Sequence, residues 1–411
     1  MPSWCRILNY FAEIIMQIKK TSFVLAFSLV LLGPMKPLFS YAQDTLSIDQ
    51  AIRRALDNHP AIKAADFQVE QQRQLQRSAL NIANPELEYE KENNSSFGLG
   101  VRQSFSFPTV YGAQARLQKE RTRLAEAQKG ITTNDLRRSV RESFNQAQYL
   151  KALVIEYRIQ DSTYQRYSNA AKRQFDAGQI DFLQRTFAEA KASEIKNQFR
   201  KASIDYEYAL ENLRVLIGLE YKPEIERIKR LPALISDASE VINPSIAYYT
   251  QRAQVELQNV RLQRNKVLPE LFVGYQKNSP FSAESFSRFR AGLTVPLWFW
   301  QYRSNIRSAD AGYKAAEQAG LAQKVTINAE FQQSAGAVNS NLQQVEFYES
   351  TGLNQAKTIV TTASRLFTSG QSDYINFIRN LADAYAIRLR YIEALRDYND
   401  AVINYNFLIG R

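Results

Sequence analysis

The 411-residue chain is poor in the side chains that mark most enzymes. It has one cysteine, Cys5, and one histidine, His59. That leaves no Ser-His-Asp or Cys-His triad in a convincing context and no His/Cys zinc cluster. His59, next to Pro60, reads as a helix-breaking surface residue. No Gly-rich phosphate loop is present, because Gly98-Leu99-Gly100 falls inside a strand pattern. A carboxylate-only glycosidase needs only Asp and Glu, but the long rods described below offer it no cleft. No enzymatic activity, cofactor or resident metal is expected. Beyond the N-terminal segment, no run reaches the 18 or more apolar residues of a membrane helix.

That segment has its own reading. Lys19 and Lys20 precede an apolar run from Phe23 to Gly33, and Ser40-Tyr41-Ala42 places small residues at the −3 and −1 positions. This is the pattern of a secretory signal peptide over residues 1–42, cleaved after Ala42, with Met1 or Met16 as the start. The mature chain would then have no thiol, so burial rather than disulfides must hold it together outside the cell. Its balance of 48 Lys/Arg against 40 Asp/Glu gives +8 after four basic residues and one acidic residue leave with the signal. Export and the scatter of these charges argue against a nucleic-acid partner. The mature protein is soluble or a membrane β-barrel.

Proline is also missing over two long stretches, from Thr109 to Lys222 and from Leu297 to the end. Proline costs about 3 kcal/mol inside a helix, so these stretches permit long uninterrupted helices. Ala, Gln, Arg, Glu and Leu dominate both. Apolar residues recur every seven positions (Leu117, Leu124, Ile131; Val140, Ala147, Val154; Leu150, Tyr157, Tyr164), the spacing of left-handed coiled-coil packing. Tyr111 to Phe175 alone would form a rod of about 97 Å at 1.5 Å per residue.

What the chain does have is a copy of itself. Arg173-Gln174-Phe175-Asp176-Ala177-Gly178-Gln179-Ile180-Asp181-Phe182-Leu183 returns 192 positions later as Arg365-Leu366-Phe367-Thr368-Ser369-Gly370-Gln371-Ser372-Asp373-Tyr374-Ile375. Leu216-Ile217-Gly218 returns at the same offset as Leu408-Ile409-Gly410, and Pro85-Glu86-Leu87 returns at a slightly smaller offset, 184, as Pro269-Glu270-Leu271. A fixed period of this kind marks a tandem repeat. We place the first repeat at residues 43–231 and the second at 232–411. Gly178 and Gly370 suit the left-handed residue that ends a helix. Asp181 and Asp373 suit the N-caps that follow, with Gln184 and Asn376 at or near capping-box positions. Each proline-free stretch therefore reads as a helical hairpin with a sharp tip.

Two strands precede each hairpin. Glu86, Glu88, Glu90 and Glu92 share one face, with Leu87 and Tyr89 opposite. Phe97, Leu99, Val101, Phe105 and Phe107 alternate with Gly98, Gly100, Arg102, Ser104 and Ser106. In the second copy Phe289, Ala291, Leu293 and Val295 oppose Arg288, Arg290 and Thr294. Their length suits both a long soluble strand and a tilted membrane strand. Trp298, Trp300, Phe299 and Tyr302 follow the fourth strand, with Tyr111 in the comparable region of the first copy. They read as an interfacial girdle or as a buried aromatic cluster. Four strands cannot close a barrel alone, and an open edge in hydrocarbon leaves backbone groups unpaired. If the strands face lipid, several chains must share one barrel, and three would supply twelve strands.

The order of these motifs resembles the TolC-type outer membrane efflux protein family. The resemblance covers Leu46-Ser47-Ile48-Asp49-Gln50-Ala51-Ile52 through Asn58-His59-Pro60, where His59 interrupts the family's Asn-Pro pair. It continues through the Pro-Glu-Leu starts and the strand exits Phe105-Ser106-Phe107-Pro108 and Leu293-Thr294-Val295-Pro296, to the Gly-Gln-x-Asp tips and Leu-Ile-Gly ends. Compact loops and total length look closest to the heavy-metal branch, of cobalt–zinc–cadmium or copper type, although Gln43 stands where many of its members carry a lipidated cysteine. The resemblance implies a mainly α fold with long coiled-coil hairpins and four strands per chain, assembled as a homotrimeric α-barrel and β-barrel tube. It implies a location in the outer membrane with a large periplasmic portion, in contact with outer membrane lipid. The implied partners are a periplasmic adaptor protein and an inner-membrane pump of the resistance-nodulation-division type. Gly178, Gln179, Gly370 and Gln371 would face the adaptor. Asp176, with Asp181 and Asp373, would lie at the pore entrance, although capping or solvation also accounts for acids there. Glu86, Glu88, Glu90, Arg102, Arg288 and Arg290 would line the barrel lumen, and Trp298, Trp300 and Tyr302 the girdle. The implied function is export of small toxic solutes or metal cations. The competing readings are a type I protein secretion channel and a soluble periplasmic coiled-coil scaffold.

Overall fold

The computed structural model describes residues 45–91, 97–233, 242–278 and 286–411. The signal-peptide reading and Glu92 lie outside them. Residues Thr45–Arg411 form one compact unit. Among the described residues no helix is long and apolar enough to cross a membrane.

Two helices open this unit: α1 (Ile48–Asn58) and α2 (Pro60–Arg77). Ser47 and Gln50 form a full capping box at α1, each side chain bonding the other's backbone N–H. His59 ends α1 and caps α2, its Nδ1 accepting from the Ala61 N–H at 3.2 Å with Pro60 at the first helical position. Then come β1 (Glu86–Lys91), β2 (Phe97–Phe105) and the helices α3 (Pro108–Asp176) and α4 (Phe182–Leu216). The pattern returns with α5 (Pro244–Asn265), β3 (Glu270–Asn278), β4 (Phe286–Thr294), α6 (Phe299–Phe347), a π turn (Tyr348–Gly352), α7 (Leu353–Thr368) and α8 (Tyr374–Leu408).

The 69 residues of α3 run unbroken for about 100 Å. Phe107, grouped with β2 by its alternation, instead flanks this helix, because Pro108 is already its first residue. The second copy departs from the expected unbroken helix. Pro296 follows Pro108 by 188 positions, whereas the tips are 192 apart. Three of the four extra residues precede Phe299, where α6 begins. The fourth is absorbed by the π turn, whose i→i+5 closure holds one residue more than an α turn.

The helices are held by a chain of cores. Near the sheet, α3 and α5 enclose Val110, Ala113, Leu117, Val255 and Leu262. Mid-length, α1, α3 and α4 bury Val140, Phe144, Ala147, Leu213 and Ile217, while α6 and α8 bury Val345, Leu395 and Val402. Asn145 and Asn399 stitch this level together. Asn145 donates to Asp400 (2.8 Å), and Asn399 donates to Asn145 (3.1 Å) and to the Lys229 carbonyl (2.9 Å).

Candidate functional site

The four strands form one antiparallel sheet in the order β1-β2-β3-β4, with β1 and β4 as its edges. Register puts Glu86 opposite Arg102, and continues that row through Gly274 to Arg290. The next row runs Glu88, Gly100, Gln276, Arg288. All six charged residues named from the sequence therefore share one face. Across it, Arg290 donates to Glu88 (3.1 Å) and to Gln276 (2.7 Å), and Gln276 donates to Glu90 (2.8 Å). The Arg102 guanidinium lies 4.6 Å from the Phe272 ring centre, and Arg288 lies 4.9 Å from that of Phe286.

Edge strands can touch across two intervening strands only where those strands carry little bulk. Gly98 and Gly100 supply that room on β2. A Cβ at Gly98 would lie 2.7 Å from the Gln276 side chain, and one at Gly292 would lie 2.6 Å from the Phe272 ring. Gln276 and Asn278, which no motif in the sequence marks out, are both buried on this face. The repeated Pro269-Glu270-Leu271 start, read two residues at a time, puts both on the same side as Gly274 and could have found them.

The opposite face is mostly apolar and uncovered, with Lys91, Gln103, Lys277 and Ser287 among its apolar side chains. Leu87 is 83% exposed and Phe289 75%, and Tyr89, Leu99, Val101, Leu271, Val273 and Leu293 are exposed beside them. Trp298 and Trp300 are exposed at the start of α6 with ring centres 5.2 Å apart, while Tyr302 is half-buried.

At the far end of the helices the tips have the expected chemistry. Gly178 and Gly370 sit at φ 71° and 72°. The N–H of Gln179 donates back to the Gln174 carbonyl and that of Gln371 to the Leu366 carbonyl, closing each helix end. Asp181 accepts from the Gln184 N–H and Asp373 from the Asn376 N–H, both at 2.7 Å. Asp176, the last residue of α3, is exposed. Behind the tips, an aromatic cluster absent from the sequence reading locks the hairpins together. Phe367 stacks on Phe377 at 4.5 Å, Tyr167 meets Phe377 edge-on at 4.5 Å, and the Tyr374 hydroxyl donates to the Tyr167 carbonyl. Burial pushes the Tyr374 and Tyr164 hydroxyls well above the ordinary tyrosine range, so both stay neutral. Further along α3, buried Glu156 meets Arg388 of α8 at 2.8 Å. Burial raises the Glu156 pKa more than the Arg388 charge and the Gln160 hydrogen bond lower it. Among the described residues no group of three or more His, Cys, Asp or Glu could hold a metal ion.

Residues 235–411 match the family model of outer membrane efflux protein. No curated protein matches the chain. Among solved structures, it is similar to CusC, whose crystal structures concern folding and transmembrane channel formation (TM-score 0.75, 15% identity, 88% of this chain and 91% of that one). It is also similar to the CmeC outer membrane channel of Campylobacter jejuni (0.76, 14%, 90% of each). The open MtrE outer membrane channel of Neisseria gonorrhoeae gives 0.74 at 15% identity over 88% of each chain. At these identities the likeness establishes the fold.

Proposed function

Because residues 235–411 match the family model of outer membrane efflux protein, we propose that the chain belongs to that family and is the outer-membrane channel subunit of a tripartite efflux system. The observation that carries this reading is the sheet with an exposed apolar face, a charged opposite face and two unpaired edges. Three copies supply twelve strands, enough to enclose a water-filled bore. Leu87, Leu99, Val101 and Phe289 then meet lipid, and Trp298, Trp300 and Tyr302 sit at its interface. Glu86, Glu88, Glu90, Arg102, Arg288 and Arg290 line the bore, where water keeps charge inexpensive.

The internal repeat supports the trimer. Tyr374 is 2% exposed against the first hairpin of its own chain, but its repeat counterpart Phe182 is 67% exposed. In a ring, a neighbouring copy covers Phe182. The helices extend the tube through the periplasm, and the tips Gly178-Gln179 and Gly370-Gln371 meet an adaptor coupled to an inner-membrane pump of the resistance-nodulation-division type. Asp176 would place a carboxylate from each copy at the entrance and favour cations there, as rings of acids do in other pores. The channel itself performs no chemistry; it gives small toxic solutes or metal cations a sealed path outward.

Gene deletion tests the reading. Sensitivity to zinc, cobalt or copper salts alone would support the heavy-metal branch, and sensitivity to organic toxicants alone the multidrug one. Recovery of the protein as a soluble monomer without detergent would overturn both.

A further inference from the structure

A cavity of about 490 Å³ opens between α2, α3 and α5, at the end of the helices that joins the sheet. Its cations are Arg121 of α3 and Lys266, the residue that closes α5. Asn81 and Gln114 add amides, and Leu117 and Leu262 give it an apolar floor drawn from the core between α3 and α5. Among the described residues no acidic side chain lines it. We infer that this cavity is a phospholipid site, which takes the phosphate of a membrane lipid headgroup between Arg121 and Lys266. The inference rests on the channel reading above, since it needs a bilayer around the sheet.

Charge carries the first part of the argument. Other basic side chains on these helices are matched: Arg73 of α2 pairs with Glu126, and Arg123 of α3 with Glu120, both at 2.9 Å. Among the described residues neither Arg121 nor Lys266 takes part in a salt bridge. Two unmatched cations facing a cavity without a carboxylate attract an anion, and a guanidinium together with an ammonium suits phosphate oxygens. The apolar floor favours an amphiphile over a free ion. Leu117 and Leu262 offer nothing to a hydrated inorganic phosphate, but they suit the first methylenes of an acyl chain.

Position carries the second part. Asn81 stands five residues before β1 and Lys266 four before β3, so both lie within about 17 Å of the strands. Helix α3 runs away from the sheet, and a helical side chain leans toward its own N-terminus, so Arg121 reaches back toward the bilayer. The link from α2 to β1 is tied to the apolar side of the sheet. There the Gln103 amide of β2 donates to the Ala83 carbonyl at 2.7 Å, and Leu80 and Ile82 of the same link are exposed. Exposed apolar side chains beside a cationic cavity are the layout of a membrane interface, where tails end and headgroups begin. Because α3 packs against both α2 and α5, the cavity belongs to one copy and not to a boundary between copies.

The test uses the full chain in a non-ionic detergent and reads lipid bound per chain by native mass spectrometry. Dioctanoyl phosphatidylglycerol should bind, dioctanoylglycerol without the phosphate should not, and inorganic phosphate at equal concentration should not displace the lipid. Arg121→Gln/Lys266→Gln should weaken binding about tenfold. Arg116→Gln/Arg264→Gln removes the same charge from exposed positions on the same two helices and should leave binding unchanged. Gln114→Trp fills the cavity, keeps both cations and should weaken binding too; it decides the matter if the first double variant fails to fold. Equal losses from the two double variants would mean diffuse surface charge and overturn the site. Displacement by inorganic phosphate would make the cavity a free-anion site and overturn the lipid reading, as would an unaltered chain that binds no phosphatidylglycerol. Ion conductance across a planar bilayer without lipid binding would sink this inference alone, whereas a soluble monomer without detergent would remove the channel reading with it.

Discussion

In the helical hairpins Phe377, Leu381 and Val140 are buried to within 1% of complete, whereas in the sheet Leu87, Val101 and Phe289 stand in the open. The hairpins obey the rule for a chain in water, and the sheet inverts it. In the helices charge lies outward and apolar volume inward. In the sheet, charge, glycine and amide share one face with Phe272 and Phe286, and most of the greasy side chains take the other. On the channel reading proposed above, one polypeptide is built for two solvents, and the change occurs over the few residues between β2 and α3 and between β4 and α6.

The largest expected effect tests the water-adapted half. Phe377→Ala removes the ring stacked on Phe367 and should cost about 3–5 kcal/mol, read by denaturant unfolding of the helical signal. Exposed Phe289→Ala, measured the same way, should change little; equal losses would erase the contrast. Next, Val101→Lys on the apolar face of a central strand should cost about 2–4 kcal/mol when the protein folds into lipid vesicles. If folding into lipid is unaffected, that face does not meet hydrocarbon. Smaller still, Asp181→Ala or Asp373→Ala should each lower stability by about 1 kcal/mol through loss of an N-cap.

The last prediction concerns pH. Burial lifts the Glu156 and Asp400 carboxyls above their ordinary range, so between the unfolded and folded pKa values the native chain holds more protons than the unfolded one. Stability from these groups should be greatest below the ordinary carboxylate range and should fall as pH rises through their raised values. Glu156→Gln should flatten this dependence in urea titrations across mildly acidic pH. An unchanged slope would mean that the Arg388 charge and the Gln160 hydrogen bond cancel the effect of burial on Glu156, and a steeper fall would mean that they outweigh it.

Much of this was legible because it is local. Period two exposed both faces of β1, β2 and β4, and a glycine followed by an aspartate three positions on gave each tip its stop and its restart. Absence of proline marked the long helices. What escaped depends on contacts far apart in sequence. Tyr167 and Phe377 look like any aromatic residues on helices until the hairpins dock. Gln276 gains its meaning only when Glu90 and Arg290 arrive from opposite edges. The π turn has no signature of its own, because it records a mismatch in length between two helices and not a local preference.

That turn makes the second hairpin adjustable. An α-helix that gains a residue must rotate everything beyond it by about 100°, which would swing Phe367 away from Phe377. A widened coil at Tyr348–Gly352 stores the surplus where it arises, so both tips stay in phase despite arms of unequal length. The molecule thereby carries a built-in expansion joint, a place where its reach could be reset by one residue without reworking the packing at either end.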